Sequence, residues 1–490
     1  MRADTRLACT ILATAAVLGI LGDAMLRSTP WGLNFYLWTV ALSAGLVLVA
    51  WARWSAIPKF MLLPSLFALF IAWRDAPFLR FWDTLAVLAA LAIATLQVHG
   101  VRLKLASLFD FMAGAMVTGT NIAVGPLILL LKDIRWNEVS SHTTAKRATA
   151  VALGVSLSIP LVLVFGSLLT SADPVFDALV RSAIDWKFET IASHLTVTCL
   201  VAWVTLGYLW GLAFGDRPKL EISPNGNHPR LGILEVGIPL LALVLVFLAF
   251  TIVQARYLFG GEQTIQVVTG LTYSEYARRG FFELVVATSL VVPVLLAADW
   301  ILDRRDRRSQ QCYRVIATVI LVLVFLMMIS AGQRMRLYVD AYGLTVDRLY
   351  ASAFMVWIGS VLLWFSATAL FRDGRHFGFG MVTSGFALLA ALNVLNPDAL
   401  IARTNLARLD LGESRDIPYL ASLSADAVPA LLTGLRELDL QERCIVWEEI
   451  ERRRWVSGKN DWRSWNLGRV KAMKALAHPA VTSSRLGCRP

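Results

Sequence analysis

Glu275, Arg279 and Glu283 sit at helical spacing and are the first candidates for chemistry in this chain. They belong to the stretch T-Y-S-E-Y-A-R-R-G-F-F-E, residues 272–283, which runs directly into the apolar segment 284–298. Positions i, i+4 and i+8 share one helix face, so the three make an acid–base–acid ladder. A carboxylate there could act as a general base, and the Arg279 guanidinium could hold a phosphate through two parallel hydrogen bonds. Tyr276 and Arg278 flank the ladder and suit headgroup depth, where Tyr is amphipathic and Arg reaches phosphates. Charges held against hydrocarbon are costly unless paired, which marks the cluster as a functional-site hypothesis. A structural reading competes with it. Thr272 and Glu275 have capping-box spacing, and Arg279 with Glu283 can form an intrahelical pair that masks a carboxylate. The cap accounts for Thr272 and Glu275, so the suspicion falls on Arg279 and Glu283.

A second cluster contains Arg334, Arg336, Tyr338, Asp340 and Tyr342, followed by Gly343, Thr345, Asp347 and Arg348. Its alternation predicts extended backbone up to a break at Gly343, then a helix capped by Thr345. Its charges could converge with the first cluster, or simply salt-bridge a loop that closes one end of a bundle. The third candidate is Asp173 in S-A-D-P-V-F, residues 171–176. There Asp173 reads as an N-cap with proline at the first helical position. Asp83, His194, Glu235 and Asp299 lie within a turn or two of apolar-segment ends and are read as solvated ends, not a proton relay.

The elements that must position these residues are membrane spans. The 490 residues are 57% hydrophobic and 17% charged, with a mean hydropathy of +0.61; soluble domains carry about 25% charged residues. The fold class is all-α, a polytopic transmembrane helical bundle of about eleven spans, each long enough for roughly 30 Å of hydrocarbon. The segments lie near 7–22, 34–51, 59–73, 81–98, 147–170, 190–214, 232–254, 280–302, 313–331, 349–371 and 377–394. The first reads as a retained span rather than a cleaved signal. Segment 105–131, interrupted by Asp110, Asn121 and small residues, could be an interfacial helix, a re-entrant pair or a poor span. The transmembrane domain is 1–394; residues 395–490 form a small helical extramembrane tail.

Crossing parity puts loops 171–189, 255–279 and 332–348 and the tail on one side of the membrane, since two spans separate each from the next. The opposite loops (132–147, 215–231, 303–314 and 372–376) hold about 14 Lys and Arg in about 50 residues, against about 8 in about 60 on the tail side, so the positive-inside rule makes the tail exoplasmic. The net charge of +11 is read as topology, not nucleic-acid binding, for no zinc-finger, RNP-like or helix-turn-helix pattern accompanies it. Five cysteines and six histidines form no metal-ligand spacing, and neither a metal nor a cofactor is expected. Cys9 and Cys199 read as small apolar residues. Cys444 and Cys488 could pair if the tail faces an oxidising compartment. Within the tail, Asp439 and Glu442 have capping-box spacing and head a helix through Val446, Trp447, Ile450 and Trp455; Asp461 opens another. Membrane lipid is one expected partner, and a protein bound through tail aromatics is another.

The phrases SADPVF, LTYSEYARRGFFELV, DAYGLTVDRLY, LNPDALIARTNLAR and DIPYLASLSADAVPALL resemble the bacterial membrane proteins grouped as domain of unknown function 4153 and its relative 4173, over roughly 150–490. The resemblance implies a bacterial inner-membrane protein and brings no catalytic residues. Three functions stay open: a non-catalytic envelope scaffold, sensor partner or accessory protein, which is favoured; an integral membrane transferase or lipid-modifying enzyme; and a transporter or flippase.

Overall fold

Apolar runs become helices here because a backbone in hydrocarbon has only itself for hydrogen bonds. A computed structural model of the chain describes residues 3–53, 62–136, 168–183, 186–215, 231–259, 281–303, 306–371, 376–408, 416–435, 438–453 and 461–478, with 154, 158, 161, 162, 164–166 and 488. The chain is an all-α bundle, with no strand among the described residues. Nine described helices are long and apolar enough to cross a membrane. They are α1 (Ala3–Leu26), α4 (Pro77–Val98), α5 (Leu108–Ile128), α7 (Trp186–Phe214), α8 (Ile233–Phe259), α9 (Phe281–Ile301), α10 (Arg307–Tyr342), α11 (Val346–Phe365) and α12 (Phe377–Leu395). Two further apolar helices accompany them, α2 (Leu33–Arg53), whose apolar stretch is Leu33–Val49, and the shorter α3 (Leu62–Trp73), and α6 (Pro174–Ala183) precedes α7.

Helix α1 packs along α7, and α8 along α10. The first half of the bundle is centred on Ile11, Leu46 and Leu209, the second on Leu295, Ile320, Val324 and Leu362. Helix α12 lends Phe386 and Leu389 to the core of α2, α3 and α4.

Segment 105–131 is a continuous helix, opened by a capping box of Ser107 and Asp110 and prolonged by a π-turn to Asp133. It packs against α4, α7 and α12. Gly114 lies against Leu96 near the end of α4, and Gly125 against Trp210 near the end of α7. Trp210 donates to Asp133, and Leu108 lies beside Gly378 at the start of α12. Helix α5 is thus one continuous helix with the length and hydropathy of a span, not a re-entrant pair, packed against α7 and α4.

The opposite end carries the tail. Asp23, near the end of α1, is 2.5 Å from His194 in the early turns of α7, so the 27–32 turn and the start of α7 share a face. The 74–76 and 343–345 turns belong to the same end, since both bond to the tail. Helices α13 (Pro397–Ala407), α14 (Ile417–Ser422), α15 (Val428–Gly434), α16 (Leu440–Glu451) and α17 (Leu467–Leu476) build the tail. Its core buries Ile401, Leu420, Val428, Leu431, Trp447 and Ile450, and Leu344, Val346 and Leu349 of the membrane bundle pack onto it. Trp447, a tail aromatic that could serve either a partner or the tail's own small core, belongs to the core. The α16 capping box forms as expected, but the helix ends at Glu451, short of Trp455, which lies outside the described residues. Cys444 and Cys488 are disulfide-bonded, with Cα atoms 5.1 Å apart.

The expected extended stretch at 334–342 is helical. Helix α10 continues for 36 residues, about 54 Å at 1.5 Å per residue, and so outruns the hydrocarbon by several turns. Extended backbone without a neighbouring strand would leave its N–H and C=O groups unpaired, whereas helix satisfies them and brings Tyr338 and Tyr342 together at i, i+4, their ring centres 5.5 Å apart.

Candidate functional site

Glu275, Tyr276, Arg278 and Arg279, and with them Thr272, lie outside the described residues. Glu283 opens α9 and lines a shallow, open groove with Val286, Ala287 and Leu290. Asp173 caps α6 by accepting from Val175 N at 2.8 Å. Thr345 caps α11 by accepting from Arg348 N. Arg336 and Asp340 are exposed on the protruding turns of α10 and Asp347 is exposed at the start of α11, while Arg334 and Arg348 are half-buried. The Arg348 guanidinium lies over the Tyr338 ring at 3.8 Å and donates to Gly343 O. These residues form the turn between α10 and α11, and the tail grips that turn. Asn405 accepts from Leu344 N and donates to Leu344 O, both at 2.7 Å. Arg408 donates to Val339 O at 2.6 Å and Asp340 O at 2.5 Å, and Tyr419 Oη accepts from Val346 N at 2.7 Å.

The larger convergence is elsewhere, at the three-residue connection 74–76 between α3 and α4. Pro77 starts α4 with the φ it needs, so the turn ends abruptly, and its free N–H groups need partners. Asp426 of the tail supplies them: its Oδ2 accepts from Asp75 N at 2.5 Å and Ala76 N at 3.2 Å. Asp75 returns the arrangement, its Oδ2 accepting from Ala425 N at 3.3 Å. The Oδ1 of Asp75 takes Arg469 Nε at 2.8 Å and Nη2 at 2.7 Å. Asn466 donates to Ile71 O and Arg74 O, each at 2.9 Å, and so closes the end of α3. A Cβ on Gly468 would come within 2.5 Å of Asp426 Oδ1, so the approach of α17 requires glycine there.

Arg74 completes this clasp. Its Nε donates to Asn393 O at 2.6 Å and Nη2 to Val394 O at 3.2 Å, while Nη1 lies 3.8 Å from Asp426 Oδ1. Arg74, Asp75, Asp426 and Arg469 are each at most 7% exposed, a burial that charged side chains tolerate only when paired. Burial pushes the Asp426 carboxyl up to about 6 against the pull of the Asp75 N–H and Arg74. It also raises Asp398, which accepts from Ser424 N at 3.0 Å, and lowers Arg74 and Arg453. Each charge in the clasp is another's partner, a pattern that fixes two surfaces together.

Beneath the clasp, Asp83 departs from the expected solvated end. It is 0% exposed, as is Asn393, whose Nδ2 donates to Asp83 Oδ1 at 2.9 Å. It lies seven residues into α4, but α12 and α11 cover it on the side where Tyr350 packs with Leu79 and Leu392. His194 and Glu235 are exposed and Asp299 half-buried, as span ends should be.

Two signals for the clasp stood in the sequence. Trp73-Arg74-Asp75-Ala76-Pro77 places an ion pair in a connection too short to be an ordinary loop. The tail phrases LNPDALIARTNLAR and DIPYLASLSADAVPALL contain Asp398, Asn405, Arg408, Tyr419 and Asp426, the residues that grip the bundle. A family model described as Domain of unknown function (DUF4153) matches residues 61–434. The match begins well before the quoted phrases, so it includes Arg74, Asp75 and Asp83, and it ends before Asn466 and Arg469. No curated protein and no solved structure matches the chain.

Proposed function

The chain belongs to the family of Domain of unknown function (DUF4153), and from that premise we propose that this multi-pass membrane protein is a non-catalytic envelope scaffold that presents a rigid, tail-built face to a protein partner. The reciprocal Asp75–Asp426 clasp carries this reading. It joins the tail to the bundle through buried charges that neutralise one another, which suits a fixed surface better than a site that must exchange charge with a substrate. The surface offers Trp462 and Trp465, 58% and 43% exposed, beside the 27–32 turn, where Trp465 O accepts from Leu33 N at 2.8 Å. Exposed tryptophans on a rigid frame are favoured anchors for protein contacts. The face is exoplasmic on this reading, supported by the Lys/Arg asymmetry between loops and by the Cys444–Cys488 disulfide, which suits an oxidising compartment.

In-membrane crosslinking of the parent and of a Trp462→Ala, Trp465→Ala variant tests the proposal. The variant keeps the backbone bond to Leu33 and should lose the crosslinked partner at unchanged membrane levels. An identical crosslink pattern in both proteins would remove the proposed docking face.

A further inference from the structure

The Asp83–Asn393 pair is incomplete as a carboxylate bonded to an amide. Asn393 Nδ2 spends its two hydrogens on Asp83 Oδ1 at 2.9 Å and Leu389 O at 3.0 Å. Asp83 Oδ2 and Asn393 Oδ1 are both buried and both lack a partner. Ionised, Asp83 only accepts, so these two orphaned atoms would be acceptors on neighbouring groups, each without a donor. A fully buried carboxylate with one hydrogen bond also carries a large desolvation cost.

The cations around it are committed elsewhere. Arg74 is held by Asn393 O, Val394 O and Asp426. Arg80, one turn earlier on α4, has Asp75 and Asp426 as its electrostatic partners. The titratable groups on the packed elements are Tyr350 of α11, whose buried hydroxyl also lacks a partner, with Asp398 of α13 and Asp426 beyond it. None of these supplies a positive charge. A single proton on Asp83 Oδ2 answers both deficits together, because the acid then donates to Asn393 Oδ1 while Asn393 Nδ2 donates to Asp83 Oδ1.

We propose that Asp83 is a proton-binding site inside the membrane bundle, its neutral carboxylic acid closed in a reciprocal hydrogen-bonded ring with the Asn393 carboxamide. The site lies one residue's length from the clasp, since Asn393 O is the acceptor for Arg74 Nε. It does not depend on the scaffold reading. Losing the partner crosslink would leave it intact, and losing the proton would leave the docking face intact.

Infrared spectroscopy of the full chain in lipid at neutral pH, in H2O and in D2O, tests it. The parent should show the carbonyl stretch of a protonated carboxylic acid with a deuterium shift, and Asp83→Asn should lose that band. In Asn393→Ala the band should move to higher frequency as its hydrogen bond is lost, which reads the pairing even if Asp83→Asn folds poorly. A parent without the band, a band that survives Asp83→Asn, or a band unmoved in Asn393→Ala would each overturn the assignment.

Discussion

Asp75 and Arg469 show what a buried charge demands of its partner. Both are nearly inaccessible, and Arg469 also donates through Nη1 to Ser464 O at 2.8 Å. Removing one member leaves an uncompensated buried charge, a loss of about 3–5 kcal/mol. Asp75→Ala should therefore melt far below the parent in detergent and free the tail to proteolysis. Arg469→Lys should recover only part of that loss, since an ammonium cannot offer Nε and Nη2 to one oxygen while Nη1 reaches another. The Asp426 carboxyl, raised from 3.8 to about 6, gives the clasp a pH dependence of definite sign. Between those values the folded state holds more protons than the unfolded chain, so stability falls as pH climbs from about 4 to about 6, by at most about 1.4 kcal/mol per pH unit, and levels off above. Melting curves from pH 4.5 to 7 should show this slope in the parent and a flatter one in Asp426→Asn. Such pairings were illegible in the chain because Asp75 and Arg469 are 394 positions apart. Only the Arg74-Asp75 dipeptide, wedged between two apolar runs, hinted that something must meet it.

The spans were legible because hydropathy is a property of each segment alone, but two elements depend on their neighbours. Helix α5 runs unbroken through the Asp110 and Asn121 that interrupt its apolar run, and its small residues Gly114 and Gly125 seat it against Leu96 and Trp210. The end of α10 carries alternating polar residues that mimic a strand, yet the helix continues to Gly343 because its backbone bonds are local. Gly343 stops it with φ +77 and ψ 174, a conformation open essentially to glycine alone. A Cβ there would also meet Asn405 Oδ1 at 2.6 Å. Gly343→Ala should cost about 1–3 kcal/mol. Asn405→Ala should cost a similar amount by orphaning both the N–H and the C=O of Leu344, for about 1–3 kcal/mol. Thermal denaturation of the two single variants and the double variant checks this. Because the residues share one contact, the double loss should fall short of the sum of the single losses.

For the whole molecule, the tail is a strap across both halves of the bundle. Asp426, Asn466 and Arg469 hold the 74–76 turn in the first half, and Asn405, Arg408 and Tyr419 hold the 343–345 turn in the second. A strap that touches both turns holds them at the same end of the bundle, independently of any charge count. The hydrogen bond between Asp23 and His194 adds the start of α7 to that end. The shared end rests on these contacts, and reporter fusions measure which side of the membrane it faces. Exoplasmic and cytoplasmic reporters fused after residues 310, 345 and 490 should divide two against one. Positions 345 and 490 should activate the exoplasmic reporter, and 310, beside the arginine-rich turn, the cytoplasmic one. The reversed pattern would put the tail in the cytoplasm, where a disulfide between Cys444 and Cys488 would be kept reduced. A split between 345 and 490 would mean that no single strap can reach both, and the clasp itself would fail.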